Sequence, residues 1–212
     1  MSVWIRRIVA AGLVTAALSA AAAAGPPLIC HELECGSSKV LAIPSGERNY
    51  IESKLQSDLI ALLQSDTPLL ARMESMRVAT IAVSERPAIA MSILAELQGR
   101  ALNANSNDRA HALALFDAGY LVECYRVYGL VDRDNTTLDG YGWAKRAQTM
   151  YDGGPEMEFG LALMTFDRDR SRFAEHLGRA VHGTNGDTLL ATNITRQFHG
   201  SLEELRNRYR IK

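Results

Sequence analysis

Two cysteines and a histidine lie within six positions near the start of the chain, in the segment PPLICHELECGSS (26–38). Thiolate sulfur and imidazole nitrogen are the ligands that zinc and copper prefer. Two neighbouring thiols can instead form a disulfide or a redox-active pair. Cys30, His31 and Cys35 are therefore the residues whose types and spacing most directly indicate chemistry.

The order of these three residues excludes haem attachment, and their spacing argues against a redox-active pair. Covalent haem attachment uses C-x-x-C-H, whereas the chain reads C-H-x-x-x-C. Thioredoxin-like catalysis needs C-x-x-C at a helix start, and this segment has neither the spacing nor a helical pattern. Zinc needs about four ligands, and the other candidates lie at no ligand spacing: His111, Cys124, His176, His182 and His199. A metal site at Cys30, His31 and Cys35 is kept as an alternative, and no cofactor is expected.

Residues 1–24 have the pattern of a cleavable signal peptide. Arg6 and Arg7 precede an uncharged apolar run over 8–24, and Ala22 and Ala24 fit an A-x-A cleavage site. A retained membrane anchor is the alternative, but the Ala-rich run is short for a bilayer span. The sequence thus predicts a secreted or periplasmic protein with no stable membrane span after cleavage.

In an exported chain, Cys30 and Cys35 are candidates for a disulfide. Closing so short a loop would stabilise the fold by about 2 kcal/mol in the loop-entropy model. Cys124 lies in the apolar stretch YLVECYRV and is expected to be a buried free thiol. Two alternatives stay open: a pairing of Cys124 with Cys30 or Cys35, and a Cys30 that remains free.

The apolar periodicity predicts an all-α protein. Residues 25–46 are rich in Pro and Gly and are expected to form an extended N-terminal arm, followed by one helical domain over 47–212. Thr67 with Pro68, and then Pro87, are typical helix starts, and Asn107 or Asp108 is a candidate cap for the next helix. No stretch alternates between apolar and polar residues as a half-buried strand would.

The helices are predicted to come in pairs. Longer helices begin near 67, 107 and 155, and shorter ones near 87, 139 and 170. A spacing of roughly 40 to 50 residues is typical of stacked antiparallel helical hairpins, the α-solenoids. An irregular orthogonal helix bundle is the alternative that the same periodicity permits.

The segment EMEFGLALMTFDRDRSRFAEHLGRAVHGTNGD (156–187) resembles a degenerate tetratricopeptide-type hairpin. Its first helix is rich in small residues, and HLGRAV occupies the place of the packed second helix. The segments MESMRVATIAV and AIAMSILAELQGRAL are similar to such a hairpin, although the Trp-Leu-Gly-Tyr and closing Pro pattern is missing. The resemblance implies a helical-repeat fold of the kind that commonly binds proteins or peptides.

Aromatic residues gather in the two segments LFDAGYLVECYRVYGL and DGYGWAKRAQTMY. Tyr and Trp combine a flat apolar face with a polar edge, which suits a groove for a peptide or a glycan. At helical spacing the same residues could instead fill the seam between adjacent hairpins. The candidate binding residues are Tyr120, Tyr125, Tyr128, Tyr141 and Trp143.

The carboxylates offer no assembled acid–base pair. Glu156 and Glu158 are two positions apart on a predicted helix and do not share a face, and Asp167 and Asp169 follow the helix. No G-x-S-x-G, H-E-x-x-H, P-loop or EF-hand pattern is present.

We therefore expect an exported helical-repeat protein that binds a protein or peptide and has no catalysis of its own. The alternative is a metal-binding protein or cell-envelope enzyme whose site lies where the Cys30 and His31 arm meets the helical body. With 23 Lys and Arg against 24 Asp and Glu, the chain is not suited to nucleic acid. Neither the partner's identity nor the oligomeric state is predicted.

Overall fold

The computed structural model describes residues 27–44, 48–103 and 109–211. Every regular element in these ranges is an α-helix, so the predicted all-α class is confirmed. The eleven described helices are α1 (Pro27–Cys30), α2 (Arg48–Ser53), α3 (Leu55–Leu62), α4 (Leu69–Val83), α5 (Pro87–Asn103), α6 (Arg109–Val127), α7 (Gly140–Met150), α8 (Gly154–Thr165), α9 (Arg170–Gly183), α10 (Thr188–Phe198) and α11 (Leu202–Tyr209).

Short polar side chains mark most helix starts in the second half of the chain. Asp169 accepts hydrogen bonds from the amides of Ser171 and Arg172 at the start of α9. Asp187 accepts from Leu190 at the start of α10, and Ser201 forms a capping box with Glu204 at α11. Such caps satisfy backbone donors that have no partner inside the helix, which explains why these starts can be predicted locally.

The predicted starts agree with the structure to within a residue where they can be compared. Helix α5 begins at Pro87 as expected, whereas α4 begins at Leu69 with Pro68 rather than Thr67 as its N-cap residue. The predicted cap at Asn107 or Asp108 lies outside the described residues.

Helices α2 and α3 are separated at Lys54. One local prediction was wrong in detail. The arm is not wholly extended, because Pro27–Cys30 forms a helical turn whose residues Pro27, Leu28 and Ile29 are buried.

Helix α6 is the centre of the core. It is buried continuously from His111 to Arg126 and contacts α4, α5, α7 and α8. Helix α8 is likewise buried from Met157 to Thr165. Helices that are buried on all sides lie in the core rather than at the surface. The most extensive helix packing joins neighbours in the sequence, α6 with α7 and α8 with α9.

A buried ion pair connects α4 and α6 across the core. The guanidinium of Arg72 on α4 donates to both carboxylate oxygens of Asp117 on α6, with Nε and Oδ1 2.9 Å apart. Both side chains are almost completely buried. A two-point geometry of this kind fixes the register of the two helices, because neither charge can be left alone in the core.

No helix in the described ranges combines the length and the hydropathy that a membrane crossing requires.

Candidate functional site

Helix α7 lies between two cavities and presents an aromatic side chain to each. Tyr141 and Trp143 are two positions apart, so they project about 200° from each other around the helix axis. Trp143 lines a cavity with residues of α5 and α6, whereas Tyr141 lines a cavity with residues of α8 and α9. The two aromatic residues therefore belong to two different surfaces.

A glycine contact holds α7 close against α6. A Cβ atom on Gly119 would collide with the backbone carbonyl of Gly140, and a Cβ on Gly140 would collide with that of Gly119. Only glycine permits so close an approach of two backbones. The start of α7 is fixed further by Asp139, whose Oδ1 accepts from the Gly142 amide at 2.9 Å.

The five predicted aromatic residues do not form one groove. Tyr120 and Tyr125 are completely buried in α6, and each is 0 % exposed. Tyr128 is exposed just beyond the end of α6, and Tyr141 and Trp143 are half-buried on opposite sides of α7. Tyr120 and Tyr125 are at core positions because α6 is surrounded by other helices, which sequence periodicity did not reveal.

The cavity beside Trp143, which we call the Trp143 cavity, is mainly apolar. It measures about 440 Å³ and is walled by Ala101, Leu115 and Ala118 as well as by Trp143. Leu102 at its edge is 84 % exposed, far more than any other large apolar side chain described. Its remaining lining residues are polar or charged: Gln98, His111 and Arg146. A concave apolar surface with a few polar groups at its edge is the usual form of a binding site.

The other side of α7 carries a chain of three hydrogen-bonded side chains, which we call the Tyr141 relay. The hydroxyl of Tyr141 lies 2.9 Å from Nε2 of His176, and Nδ1 of His176 lies 2.6 Å from Oε2 of Glu158. His176 on α9 is only 1 % exposed, and Glu158 on α8 is also buried. A buried carboxylate thus holds the imidazole, and the imidazole holds a tyrosine hydroxyl.

Glu158 is held in its charged form by several donors. Its Oε1 accepts from Nε of Arg179 at 2.6 Å and from the side-chain amide of Gln148. Burial alone would raise the pKa of this carboxyl, but the hydrogen bonds from His176 and Arg179 outweigh it and lower the pKa. Nδ1 of His176 lies 2.6 Å from the Glu158 carboxylate and 3.1 Å from Nη2 of Arg179. The shorter contact to the carboxylate assigns the proton of a neutral imidazole to Nδ1, so Nε2 is the acceptor for the tyrosine hydroxyl.

Tyr141 faces a second, polar cavity of about 220 Å³, which we call the Tyr141 cavity. Burial raises the pKa of its phenol, and the nearby Arg172 offsets this only in part, so the hydroxyl is neutral at physiological pH. The guanidinium of Arg172 lies over the Tyr141 ring, 5.1 Å from its centroid. The other lining residues are Asp139, Met164, Thr165, Arg168 and Asp169.

A separate cavity of about 240 Å³ adjoins this one at Met164 and Arg168. Its charged wall is an ion-pair network in which the buried Glu123 carboxylate binds both Arg126 and Arg168. Arg126 also donates to the backbone carbonyls of Asn135 and Leu138. These contacts hold the loop before α7 in place, which is a sufficient structural role for the network.

The arm does not bring Cys30, His31 and Cys35 together into a site. Cys30 is exposed at the end of α1, and all three cysteines are free, so the predicted Cys30–Cys35 disulfide is absent from this structure. The thiol of Cys35 lies 3.4 Å from the backbone carbonyl of Leu33, and burial raises its pKa to about 12. Among the described residues, no group of three or more His, Cys, Asp and Glu side chains is arranged to hold a metal ion.

His31 packs against another histidine rather than facing a cleft with Cys30. Its ring meets that of His199 edge to face, with centroids 5.1 Å apart. Its backbone carbonyl accepts from the side-chain amide of Gln197 at 3.0 Å. The alternative of a metal or enzyme site built on Cys30 and His31 gains no geometric support from these contacts.

Hydrogen bonds to buried side chains fasten the arm instead of a disulfide. The amide of Leu33 donates to the buried Glu74 carboxylate on α4 at 2.9 Å, and that of Leu41 donates to Ser75 at 3.1 Å. On α10, the buried side-chain amide of Asn193 both accepts from the Glu34 backbone amide and donates to its carbonyl. The arm therefore bridges α4 and α10.

The four carboxylates considered in the sequence have separate roles. Asp169 caps α9, Asp167 lines the cavity beside Glu123, and burial raises the pKa of Glu156. Glu158 alone joins a cluster, and its partners His176 and Arg179 were not predicted from the sequence. One signal was present: Arg172 and His176 follow at four-residue spacing, which places them on one face of α9.

Comparison with known proteins gives no family assignment: no family model matches the chain, and neither a curated protein nor a solved structure matches it significantly.

Proposed function

We propose that this protein binds a peptide segment of a partner protein at the Trp143 cavity. The observation that carries this proposal is the combination of a half-buried Trp, the strongly exposed Leu102 and an apolar cavity of about 440 Å³ between α5, α6 and α7. Contiguous exposed apolar surface, such as Leu102 beside an apolar cavity, is typical of interaction sites. Tryptophan is also among the residues that contribute most to binding energy in interfaces.

The lining indicates what kind of peptide would bind. Leu102, Leu115 and Trp143 favour a large aliphatic or aromatic side chain, and Arg146 at the edge favours a neighbouring carboxylate. The Trp143 cavity is lined by no carboxylate among the described residues. We infer a peptide that carries one large apolar residue beside one or more acidic residues.

The wider proposals rest on the sequence. The pairing of α6 with α7 and of α8 with α9 supports stacked helical hairpins, a fold that commonly presents peptide-binding surfaces. The contacts of α6 with both α4 and α8 support the alternative of an irregular bundle. Export depends on the signal-peptide pattern in residues 1–24, which lie outside the described residues.

Peptide binding can be measured by the fluorescence anisotropy of labelled decapeptides that carry one Leu, Phe or Trp beside two Glu in a Gly-Ser background. We expect Trp143→Ala and Leu102→Asp each to weaken binding about tenfold or more, because both remove apolar contact area. Peptides with Lys in place of Glu should bind more weakly, and Arg146→Gln should abolish that preference.

The matched control is Met91→Asp, which places the same charge at another exposed apolar position of α5 outside the cavity. It should leave the affinity within about twofold of the wild type, because Met91 is not part of the cavity lining. Equal affinities for the wild type, Trp143→Ala and Leu102→Asp would contradict the proposal, as would the absence of binding by every acidic-apolar peptide.

A further inference from the structure

The Tyr141 cavity places two guanidinium groups beside a tyrosine that is coupled to a buried histidine. Arg168 and Arg172 are 53 % and 56 % exposed, and each side chain is anchored by one carboxylate. Arg168 donates one hydrogen bond to Glu123 at 2.8 Å, and Nε of Arg172 lies 3.2 Å from Asp169. A guanidinium has five N–H donors, so both arginines are fixed in position and still have donors for a ligand.

The two aspartates in the cavity wall do not cancel this arrangement. Asp139 and Asp169 are the N-cap residues of α7 and α9, and their side chains accept backbone amide hydrogens. The positive ends of the two helix dipoles offset part of these negative charges. Arg168 precedes α9 and Arg172 lies in its first turn, and both side chains line the same cavity of about 220 Å³, so a ligand with several oxygen atoms can contact both guanidinium groups.

The relay decides whether the Tyr141 hydroxyl donates or accepts a hydrogen bond in the cavity. With a neutral imidazole, the hydroxyl donates to Nε2 of His176 and presents only oxygen lone pairs to a ligand. With a charged imidazole, Nε2–H donates to the tyrosine oxygen, so the hydroxyl hydrogen is free to donate to a ligand. An anion bound beside Tyr141 therefore favours the protonated form of the buried relay.

We propose that the Tyr141 cavity binds a tetrahedral oxyanion of the phosphate or sulfate class between Arg168 and Arg172, and that binding is coupled to the uptake of a proton by His176. Tyr141 is the third donor to the anion. His176 does not reach the ligand and acts through Tyr141 as a positioning residue. This site lies on the opposite side of α7 from the Trp143 cavity, so it does not depend on the proposed peptide binding.

Several charged groups face the Tyr141 relay and affect the proposed coupling between anion binding and proton uptake by His176. Glu158 binds His176 from α8, and Glu175, Arg172 and Arg179 approach from α9. Lys145 on α7 donates to Gln148, which in turn donates to Glu158. Glu158 stays charged because its pKa is lowered, so we assign the proposed proton uptake to the imidazole and test it between about pH 5 and 8.

Isothermal titration calorimetry of the full chain with sodium sulfate, at constant ionic strength set with NaCl, tests the binding. Sulfate does not titrate in this pH range, so proton uptake measured in buffers of different ionisation enthalpy comes from the protein. We expect saturable binding that weakens as the pH rises, with uptake approaching one proton per sulfate where the imidazole is neutral before binding. Inorganic phosphate and O-phosphoserine titrations then show whether the cavity takes a free anion or an esterified phosphate.

Four variants separate the parts of the proposal. Arg172→Gln should weaken sulfate binding about tenfold, whereas Arg146→Gln, in the other cavity, should not change it. His176→Gln and Tyr141→Phe should bind with proton uptake reduced nearly to zero. Thermal unfolding of each variant shows whether it is folded, and the exposed Arg172→Gln and the conservative Tyr141→Phe keep the test decisive if His176→Gln fails to fold.

Two results would overturn the proposal. One is that none of the three anions binds to the wild type more strongly than chloride. The other is that binding is unaffected by Arg172→Gln, or proceeds with the same proton uptake in Tyr141→Phe as in the wild type. Loss of peptide binding in Trp143→Ala with sulfate binding intact would show that the two sites are independent.

Discussion

Helix α7 presents two chemically different surfaces, one on each side. Toward α5 and α6 it presents Trp143 to a cavity whose walls are alanine and leucine, with a highly exposed Leu102 at the edge. Toward α8 and α9 it presents Tyr141 to a cavity with two arginines, and the hydroxyl is held by a buried imidazole and carboxylate. The first surface is suited to displacing water from apolar groups, and the second to holding charge.

This difference shows how a short helix can lie between an apolar cavity and a charged one. Residues two apart on a helix point in nearly opposite directions, so the sequence Tyr-Gly-Trp delivers an aromatic ring to each side. The Gly119–Gly140 contact fixes the helix position for both cavities at once. The ion pairs of Glu158, in contrast, affect only the Tyr141 side.

The largest effect is expected when the shared support of both sides is broken. Gly119→Ala would place a methyl group against the backbone of Gly140, where no side chain can move aside. We expect a loss of about 3 kcal/mol in the free energy of unfolding, since overpacking against a rigid backbone is costly. Urea denaturation followed by circular dichroism measures it, and both ligand affinities should fall together.

Gly99→Ala is the matched control for that change. Gly99 lies inside α5, and no atom lies within 4 Å of the position that the added methyl group would occupy. The substitution should therefore be neutral or stabilise the fold by up to about 1 kcal/mol, because alanine is the better helix former. A Gly119→Ala variant as stable as the wild type would show that α7 is not fixed by this contact.

A smaller effect, confined to one side, is expected for Glu158→Ala. The change leaves His176, Arg179 and Gln148 without their common acceptor, and we expect a loss of about 2 kcal/mol. Glu175→Ala removes the exposed partner of the same Arg179 and should cost less than about 0.5 kcal/mol. Urea denaturation gives both values, and the peptide affinity of the Trp143 cavity should be unchanged. Equal losses in the two variants would contradict a special role for the buried carboxylate.

The helix pattern was predictable because its signals are local. Pro87, Asp169 and Ser201 each set a helix start through their own backbone or the next three amides. The apolar spacing then gives an all-α protein without knowledge of how the helices pack. The spacing does not show which helix is central, and for that reason Tyr120 and Tyr125 were candidates for a binding groove as well as for the seam between hairpins.

The relay and the fastening of the arm depend on packing between distant segments. Glu158 and His176 are 18 positions apart, and Tyr141 is 35 positions from His176. Helical spacing places Glu156 and Glu158 on different faces of α8, but it does not predict which side chain of the next helix contacts Glu158.

A Cys30–Cys35 disulfide was the sequence candidate for holding the arm, whereas buried polar side chains hold it. Buried polar side chains cannot be distinguished from exposed ones by residue type alone. They are Glu74, Ser75 and Asn193.

The smallest expected effect is a difference in how the stability contributions of the two sides of α7 depend on pH. The pKa of Glu158 is lowered in the folded state, because the hydrogen bonds from His176 and Arg179 outweigh the effect of burial. A group of this kind stabilises the fold fully above its unfolded-state pKa, near 4.5, and this contribution is lost as the pH falls through the folded-state value. Glu158→Gln has no charge to lose, so its stability deficit relative to the wild type should shrink from about pH 6 to about pH 3.5. Urea denaturation of both proteins across this range measures the deficit.

Trp143→Ala, whose cavity contains no carboxylate among the described residues, should show a deficit that stays constant over the same range. A deficit of Glu158→Gln that also stays constant would mean that the carboxylate gains no more from its partners in the folded protein than it does in water.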